Sequence, residues 1–349
     1  MKTEAAILFQ SGEKLIVDEI QIPEKLIKGQ VLVRVITSGI CGAQVNEIDA
    51  TKGPDKFLPH LLGHEGYCEV LKVSQEVKSI RVGDYAIMHW RPSLGIQSLT
   101  PKYNWNGKSV NAGWVTTFNR HAIVSENRLT KIDSKGIPRE ILPLLGCALT
   151  TAFGVITKEA GIQPGHKVLL FGCGGVGLSM IKILRYLQVG ELCVVDTNEK
   201  KLDLARKFGA TKSIKFATKN QVTDEIKSHF ALGLPDVAID TTGKVPCIEL
   251  AYENSDEQGR VLLVGVPKLG DKSSIYTLPL HFGKQLIGSK GGGALPDIDI
   301  PILMGMMQTG ELDFNDFPTQ IYSLSKINDA IDDLRNGRVG RMVIDMDIP

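Results

Sequence analysis

Apolar and polar residues follow two different patterns along this chain, and the pattern changes near Lys167. Before that point, short apolar runs separated by Gly and Pro predict β-strands. These predicted strands are residues 5–8, 15–19, 31–36 and 85–89. After it, strand-like and helix-like runs alternate, which predicts a parallel sheet covered by helices. The chain is therefore predicted to combine a β-rich part with a doubly wound α/β part.

The alternating part has a regular order. Its predicted strands are residues 168–171, 192–195, 237–240 and 261–264, and its predicted helices are residues 176–189, 199–208 and 245–254. Within the first helix, Met180, Ile181 and Leu184 recur at helical spacing and predict one buried face. A last helix is predicted over residues 323–335, where Gly337 follows as a stop signal.

Residues 91–113 differ from their surroundings, because they are polar and interrupted by Pro, Gly and Asn. This composition predicts a long loop, and long loops inside compact domains often carry function. Tyr103, Trp105 and Trp114 could order such a loop by packing.

A glycine-rich segment, residues 172–177, lies between a predicted strand and a predicted helix and reads Gly-Cys-Gly-Gly-Val-Gly. Its spacing is that of a dinucleotide-binding turn, and Asp196 ends the next apolar run, where an acidic residue would bind the adenosine ribose. A carboxylate there disfavours a 2′-phosphate, so NAD is predicted rather than NADP. Lys201 could reach the same ribose. The predicted cofactor residues are Gly172, Gly174, Gly175, Val176, Gly177, Asp196 and Lys201.

Composition narrows the functional classes. The 349 residues are 43% hydrophobic, with a net charge of +1, which gives no electrostatic reason to expect nucleic acid or an acidic membrane as partner. No apolar run approaches the roughly 20 residues that span a bilayer, and the N-terminus lacks a signal-peptide core, so a cytoplasmic protein is expected. The six cysteines favour metal binding or burial over a disulfide framework.

Several blocks of sequence carry a family resemblance. They are Gly39-Ile40-Cys41-Gly42, the run from Pro59 to Gly66, Val82-Gly83-Asp84, the run from Leu145 to Gly154, the glycine-rich segment, the run from Val264 to Pro267, and the run from Gly337 to Arg341. With them the chain resembles the zinc-dependent alcohol dehydrogenase type of the medium-chain dehydrogenase/reductase superfamily. The resemblance implies a GroES-like catalytic domain over residues 1–148, a Rossmann NAD-binding domain over 149–290, and a segment over 291–349 that completes the catalytic domain.

The resemblance also assigns roles that spacing alone does not, since the cysteines and the histidine concerned are far apart in sequence. It implies that Cys41, His64 and Cys147 bind a catalytic zinc. Glu65 corresponds to a glutamate near that zinc, which either exchanges with a ligand or is a structural hydrogen-bond acceptor. Further implied cofactor contacts are Val264, Val266 and Arg341, and implied substrate contacts are Trp90 and Trp114. A homodimer or homotetramer is also implied.

This chain departs from the family at several positions. Relatives often bind a structural zinc through four cysteines in the segment corresponding to residues 91–113, which here has no cysteine, so one zinc per chain is predicted. Ala43 stands where relatives usually have a hydroxyl residue of the proton relay, and Gln44 replaces an acidic partner of the zinc ligands. The position where relatives usually have the relay histidine falls near Asn46, which cannot titrate. The proton must therefore leave by another route, through Glu47, Glu65, a substrate hydroxyl or water.

The predicted substrate is a small-molecule alcohol or carbonyl compound, in particular a polyol or sugar-derived and possibly phosphorylated alcohol. Arg91 is either the group that recognises phosphate or carboxylate, or a solvated charge in a loop. Two alternatives remain. One is a zinc-free, NADPH-dependent quinone or enone reductase of the same superfamily, and the other is a non-catalytic binding or structural relative.

Overall fold

The computed structural model describes residues 1–230 and 232–349. The chain forms two compact units. The first unit contains Met1–Thr150 and Leu295–Pro349, and the second contains Thr151–Ala294. No helix within the described ranges is long and apolar enough to cross a bilayer.

In the first unit strands outnumber helices, whereas in the second unit strands and helices alternate regularly. In chain order they are β1 (Lys2–Leu8), β2 (Ile16–Gln21), β3 (Gln30–Ile40), β4 (His60–Leu61), β5 (Glu65–Val73), β6 (Tyr85–His89), β7 (Lys102–Trp105), β8 (Lys108–Asn111), β9 (His121–Ser125), β10 (Leu129–Lys131), β11 (Lys167–Phe171), β12 (Glu191–Asp196), β13 (Lys212–Lys215), β14 (Val237–Asp240), β15 (Arg260–Leu263), β16 (Gln285–Gly288), β17 (Thr319–Tyr322) and β18 (Arg341–Asp345).

The α-helices are α1 (Gly42–Ile48), α2 (Ala148–Gly154), α3 (Gly175–Tyr186), α4 (Glu199–Phe208), α5 (Lys219–His229), α6 (Val245–Glu253), α7 (Pro296–Gln308) and α8 (Ile327–Arg335). Short helical turns connect them, among them the 3₁₀ segment Leu142–Gly146. The predicted helix over 199–208 coincides with α4. The helix predicted over 176–189 ends three residues earlier, at Tyr186.

The first unit contains a closed barrel and a second sheet. The barrel order is β1-β2-β7-β8-β4, and the sheet order is β10-β6-β5-β3-β18-β17, with β9 also paired to β3. Val33, Val35, Val70 and Met88 are fully or almost fully buried in its core. Strand β18, near the C-terminus, lies antiparallel to β3 in a register that pairs Met342 with Ile40. This register brings residue 341 beside residue 41.

The prediction of a loop over residues 91–113 is wrong in part, because β7 and β8 form a hairpin inside this segment and belong to the barrel. Asn106 and Gly107, at its turn, have φ values of +51° and +80°. Asn-Gly is the preferred pair for a two-residue hairpin turn, because both residues tolerate positive φ. Tyr103 is 2% exposed, and its hydroxyl accepts the Ile123 N–H at 2.8 Å, which anchors the hairpin.

The second unit is a parallel sheet in the order β13-β12-β11-β14-β15-β16. Its central strands have both faces buried, so they are almost continuously apolar. The order reverses between β11 and β14, and ligands of open α/β sheets bind at the carboxyl ends of strands at such a switch point. The glycine-rich segment follows β11 at that end. The predicted combination of a β-rich part and a doubly wound α/β part is confirmed.

Candidate active site

Cys41, His64 and Cys147, here called the Cys-His-Cys group, converge although they are far apart in sequence. One potential ligand atom of each lies within 4.8 Å of the others. Cys41 is the N-cap residue of α1 directly after β3, and His64 precedes β5. Cys147 follows the 3₁₀ segment Leu142–Gly146. All three residues belong to the first unit.

Gly146 lets the segment carrying Cys147 approach the sheet closely. A Cβ atom there would lie 2.2 Å from the Met88 carbonyl oxygen and 2.9 Å from the Glu65 Cα atom. Both atoms belong to the backbone of paired strands and cannot move aside easily. A side chain at position 146 would therefore push Cys147 away from Cys41 and His64.

The environment of Cys41 favours its thiolate. A hydrogen bond with Cys147 holds the pKa of the Cys41 thiol well below its usual range, against the effect of burial, and the nearby His64 and Arg341 act in the same direction. Cys68, elsewhere in this unit, shows the contrast, because burial raises its pKa far above the usual range. The thiolate is the form that binds metal ions, so the site is prepared for a cation.

Gln44 connects two members of the Cys-His-Cys group. Its side chain is 1% exposed, and its Oε1 accepts the Cys41 backbone N–H at 3.0 Å. Its Nε2 is hydrogen-bonded to His64 Nδ1. His64 Nε2, in contrast, is buried without a hydrogen-bond partner among the described residues, so it is the nitrogen left for a metal.

Glu65 and Arg341 form a buried ion pair beside this group. Glu65 is 0% exposed, and its Oε2 also accepts the Ala148 N–H at 3.3 Å. A Cβ atom at position 39 would lie 2.5 Å from Glu65 Oε1, so Gly39 leaves the room that the carboxylate occupies. These contacts support the interpretation of Glu65 as a structural acceptor.

The three residues expected to contact substrate lie around another arginine, Arg128. The Arg128 guanidinium is 5.2 Å from the centre of the Trp114 ring, and its Nη1 donates to the Trp90 carbonyl at 2.7 Å. Arg91 packs its guanidinium against the Trp90 ring at 5.6 Å. The β5–β6 ladder ends with Glu65 opposite His89, so His64 and Trp90 both lie just beyond that end. Trp90 is therefore near one member of the Cys-His-Cys group along the chain pairing, and its contact with substrate stays a prediction.

In the second unit, the glycine-rich segment has the shape of a phosphate cradle. Gly172 has a φ of +95°, and a Cβ atom on Gly177 would lie 2.0 Å from the Gly172 carbonyl oxygen. A Cβ atom on Gly174 would meet nothing within 4 Å, so the space in front of it is open. Helix α3 starts at Gly175 and points its free N–H groups towards this space, which favours an anion.

Asp196 ties the glycine-rich segment to the end of β12. Its Oδ2 accepts the Cys173 N–H at 2.7 Å, and its Oδ1 accepts the Asn198 N–H at 2.9 Å. A carboxylate has about four acceptor positions, so ribose hydroxyls could still bind. Lys201 is half-buried on α4, which begins just after Asp196.

Val264 and Val266 follow β15 in the same unit. Val264 is half-buried and Val266 is 53% exposed. Arg341 belongs instead to the first unit, with Glu65 as its described ion-pair partner. Its contact with a cofactor stays a prediction.

Sequence reasoning missed Arg128 and the pairing of Arg341 with Glu65. Arg128 is 4% exposed. It follows the polar residues Glu126 and Asn127, so the local sequence predicts exposure and gives no sign of burial. The Arg341–Glu65 pair depends on the register of β18 with β3, which pairs Met342 near the C-terminus with Ile40 near the N-terminus. The family resemblance marked Glu65 and Arg341 separately, but it indicated neither their pairing nor Arg128.

Comparisons with known proteins agree with this geometry. Residues 27–134 match the family model described as alcohol dehydrogenase GroES-like domain, and residues 175–308 match the one described as zinc-binding dehydrogenase. An S-(hydroxymethyl)glutathione dehydrogenase of Escherichia coli O139:H28 is 31% identical, over 99% of this chain and 100% of the relative. A counterpart from Escherichia coli O1:K1 is 30% identical with the same coverage.

Two solved structures show the same fold. A benzyl alcohol dehydrogenase from Acinetobacter calcoaceticus superposes with a TM-score of 0.88 at 24% identity, covering 99% of each chain. An alcohol dehydrogenase from Aeropyrum pernix superposes with a TM-score of 0.79 at 22% identity, covering 98% of this chain and 99% of the other. Sequence and fold therefore agree, and the chain belongs to the zinc-dependent alcohol dehydrogenase family of oxidoreductases.

Proposed function

We propose that this protein is an NAD-linked, zinc-dependent dehydrogenase that interconverts an alcohol and its carbonyl compound. The observation that carries the proposal is the convergence of Cys41, His64 and Cys147 within 4.8 Å. Two cysteines and one histidine form a known catalytic zinc set, which leaves a fourth position open for substrate.

The residues present fit a zinc ion. The donor set is two sulfurs and one imidazole nitrogen, and the free nitrogen, His64 Nε2, is buried and unpaired among the described residues. Zinc bonds of ~2.0–2.3 Å place neighbouring ligand atoms about 3.5–4 Å apart, close to the span of this group. When bound, zinc would act as a Lewis acid that polarises the alcohol or carbonyl oxygen.

The chain's own residues would prepare this chemistry. The Cys41 thiolate and the Cys147 sulfur would supply negative charge to the cation, and His64 would complete the set. The Glu65–Arg341 pair would hold the surrounding strands in place without adding net charge. Ala43 and Asn46, both on α1, have no titratable side chain, so the proton route proposed here runs through Glu47 on the same helix, a substrate hydroxyl or water.

NAD is the cofactor that we propose for the second unit. Gly172, Gly174, Gly175, Val176 and Gly177 would bind its pyrophosphate at the N-terminus of α3, and Asp196 with Lys201 would bind the adenosine ribose. Val264, Val266 and Arg341 are proposed as further contacts. When bound, the nicotinamide ring would accept or donate the hydride. The open space at Gly174 and the free acceptor positions of Asp196 support the proposal.

For the substrate, we propose an alcohol that carries an anionic group. Arg91 packs on the Trp90 ring, and arginine is suited to carboxylate and phosphate, whereas Arg128 is buried and already bonded to the Trp90 carbonyl and to Gln97. The relatives' names make S-(hydroxymethyl)glutathione, which bears carboxylates, a candidate beside the phosphorylated polyols expected from sequence. Neither relative named above is a polyol or sugar dehydrogenase.

A substrate panel tests this proposal. NADH formation would be compared for S-(hydroxymethyl)glutathione, a sugar-alcohol phosphate, an uncharged polyol and benzyl alcohol. Arg91→Ala should raise KM about tenfold or more for the anionic substrate, because a charged hydrogen bond is lost, and leave KM for benzyl alcohol unchanged. Lys102→Ala, an exposed cation on β7, is the matched control. Equal effects of Arg91→Ala on charged and neutral substrates would refute the anionic-substrate proposal.

The same activity assay separates this proposal from the two alternatives, a zinc-free reductase and a non-catalytic relative. A zinc-free, NADPH-dependent reductase would keep its activity in the Cys41→Ser variant and prefer NADPH. A non-catalytic relative would show no NAD reduction with any alcohol. The proposed homodimer or homotetramer is measured independently by light scattering.

A further inference from the structure

The Gln44 carboxamide is hydrogen-bonded to two groups, the Cys41 backbone N–H and the His64 ring. When zinc is bound, both of these groups would need a hydrogen-bond acceptor, and a carboxamide has only one acceptor oxygen. The Gln44 side chain is 1% exposed, so water does not replace either partner. The inference drawn from this bridge concerns zinc affinity and rests on the proposed zinc site.

A carboxamide has one acceptor oxygen and one NH₂ group that only donates. The Cys41 N–H is a donor and takes the oxygen, at 3.0 Å. The NH₂ group therefore faces His64 Nδ1, which must accept. In a neutral imidazole the other nitrogen then carries the proton. In the geometry described, the His64 proton is on Nε2.

Zinc needs the opposite arrangement. His64 Nε2 is the nitrogen left for the metal, because Nδ1 is occupied by Gln44. To bind through Nε2 as a neutral ligand, His64 must carry its proton on Nδ1 and needs an acceptor there. Gln44 can provide one only by turning its carboxamide round, and its NH₂ group would then face the Cys41 N–H, donor against donor.

We propose that Gln44 is a positioning residue that weakens zinc binding, because it stabilises the metal-free tautomer of His64 and leaves the Cys41 N–H unpaired when zinc is bound. The site would then exchange zinc more readily than the same site with a carboxylate at position 44. A glutamate has the same shape but two acceptor oxygens, one for the Cys41 N–H and one for His64 Nδ1–H.

Zinc affinity tests this directly. Zinc-loaded wild type and Gln44→Glu would be titrated with a competing chelator at fixed pH and ionic strength. Partners that orient metal ligands typically change metal affinity by about 10- to 100-fold, so Gln44→Glu should bind zinc tighter by that factor. Asn46→Asp is the matched control, because it adds the same charge on the same helix while the described hydrogen bond to His64 Nδ1 comes from Gln44, and it should change affinity by less than about fivefold.

A second measurement needs no substitution. Nitrogen-15 NMR of histidine-labelled, metal-free wild type, with the His64 signals assigned through His64→Ala, should show the proton on Nε2. A proton on Nδ1 would overturn the inference, and so would equal tightening in Gln44→Glu and Asn46→Asp, or none in Gln44→Glu. Failure of the proposed function is distinguishable, since the wild type would then bind no zinc or bind it equally well as Cys41→Ser.

Discussion

Glu65 and Arg341 are charged residues whose side chains are only 0% and 4% exposed. Their ion pair satisfies two charges that would each be very costly to bury alone. Burial lowers the pKa of Arg341, while the nearby Cys41 thiolate opposes that effect. At the residue scale, the pair therefore acts as one neutral structural group beside the Cys-His-Cys group.

Removing one partner should destabilise the protein strongly. Arg341→Met leaves the Glu65 carboxylate buried without a counter-charge, and we expect a loss of about 3–5 kcal/mol in the free energy of unfolding, measured with denaturant. The double variant Glu65→Gln/Arg341→Met should recover most of that loss. Lys326→Ala, which breaks the exposed pair with Asp329, should have little effect. A small effect of Arg341→Met would mean that the buried pair contributes little.

His89 should make stability depend on pH. Burial lowers its pKa from 6.5 to about 4, and the neutral ring fits its partners, because Nδ1 meets the Arg91 carbonyl at 2.7 Å and Nε2 meets the Thr130 hydroxyl at 3.0 Å. The unfolded chain binds this proton at higher pH than the folded chain does. The contribution of the neutral His89 ring to the free energy of unfolding is therefore complete above pH 6.5. As the pH falls towards 4, this contribution is lost, by about 3 kcal/mol.

The pH dependence is measured as a difference between wild type and His89→Gln, so that other titrating groups cancel. The wild type should lose more stability than the variant between pH 6.5 and 4. Parallel pH profiles of the two proteins would show that His89 is not held neutral by the fold.

At the scale of elements, the sequence predicted the second unit better than the first. In the second unit, strands and helices are local and periodic, and the predicted 237–240 strand coincides with β14. In the first unit, β7 and β8 are short and polar, and their place in the barrel depends on partners distant in sequence. The Asn106-Gly107 turn was the one local signal for them. The Cys-His-Cys group depends on such distant pairing too, which is why spacing alone could not reveal it.

Two glycines of the glycine-rich segment, Gly177 in the first turn of α3 and Gly174 just before it, should separate folding from cofactor binding. Gly177→Ala places a Cβ atom against the Gly172 carbonyl and should lower both the free energy of unfolding, by about 1–3 kcal/mol, and the affinity for NAD. Gly174→Ala has open space and a φ of −76°, so it should leave the unfolding temperature unchanged and lower only NAD affinity, measured by calorimetry. Unchanged NAD affinity in Gly174→Ala would contradict the proposed pyrophosphate site.

At the scale of the whole molecule, the two units carry different chemistry. The first unit contains the Cys-His-Cys group, the buried Glu65–Arg341 pair and the aromatic and cationic cluster around Trp90. The second contains the glycine-rich segment and Asp196. The composition, with a net charge of +1, indicated neither of these sites. They follow from the fold.

The most direct test of the account is to measure zinc content and NADH formation together, before and after zinc removal, with the best substrate of the panel. We expect one zinc per chain in wild type and none in Cys41→Ser. Removal of zinc should lower kcat about 10³-fold or more, because a Lewis acid contributes several kcal/mol, and added zinc should restore it. Full turnover by protein that contains no zinc would contradict the central claim.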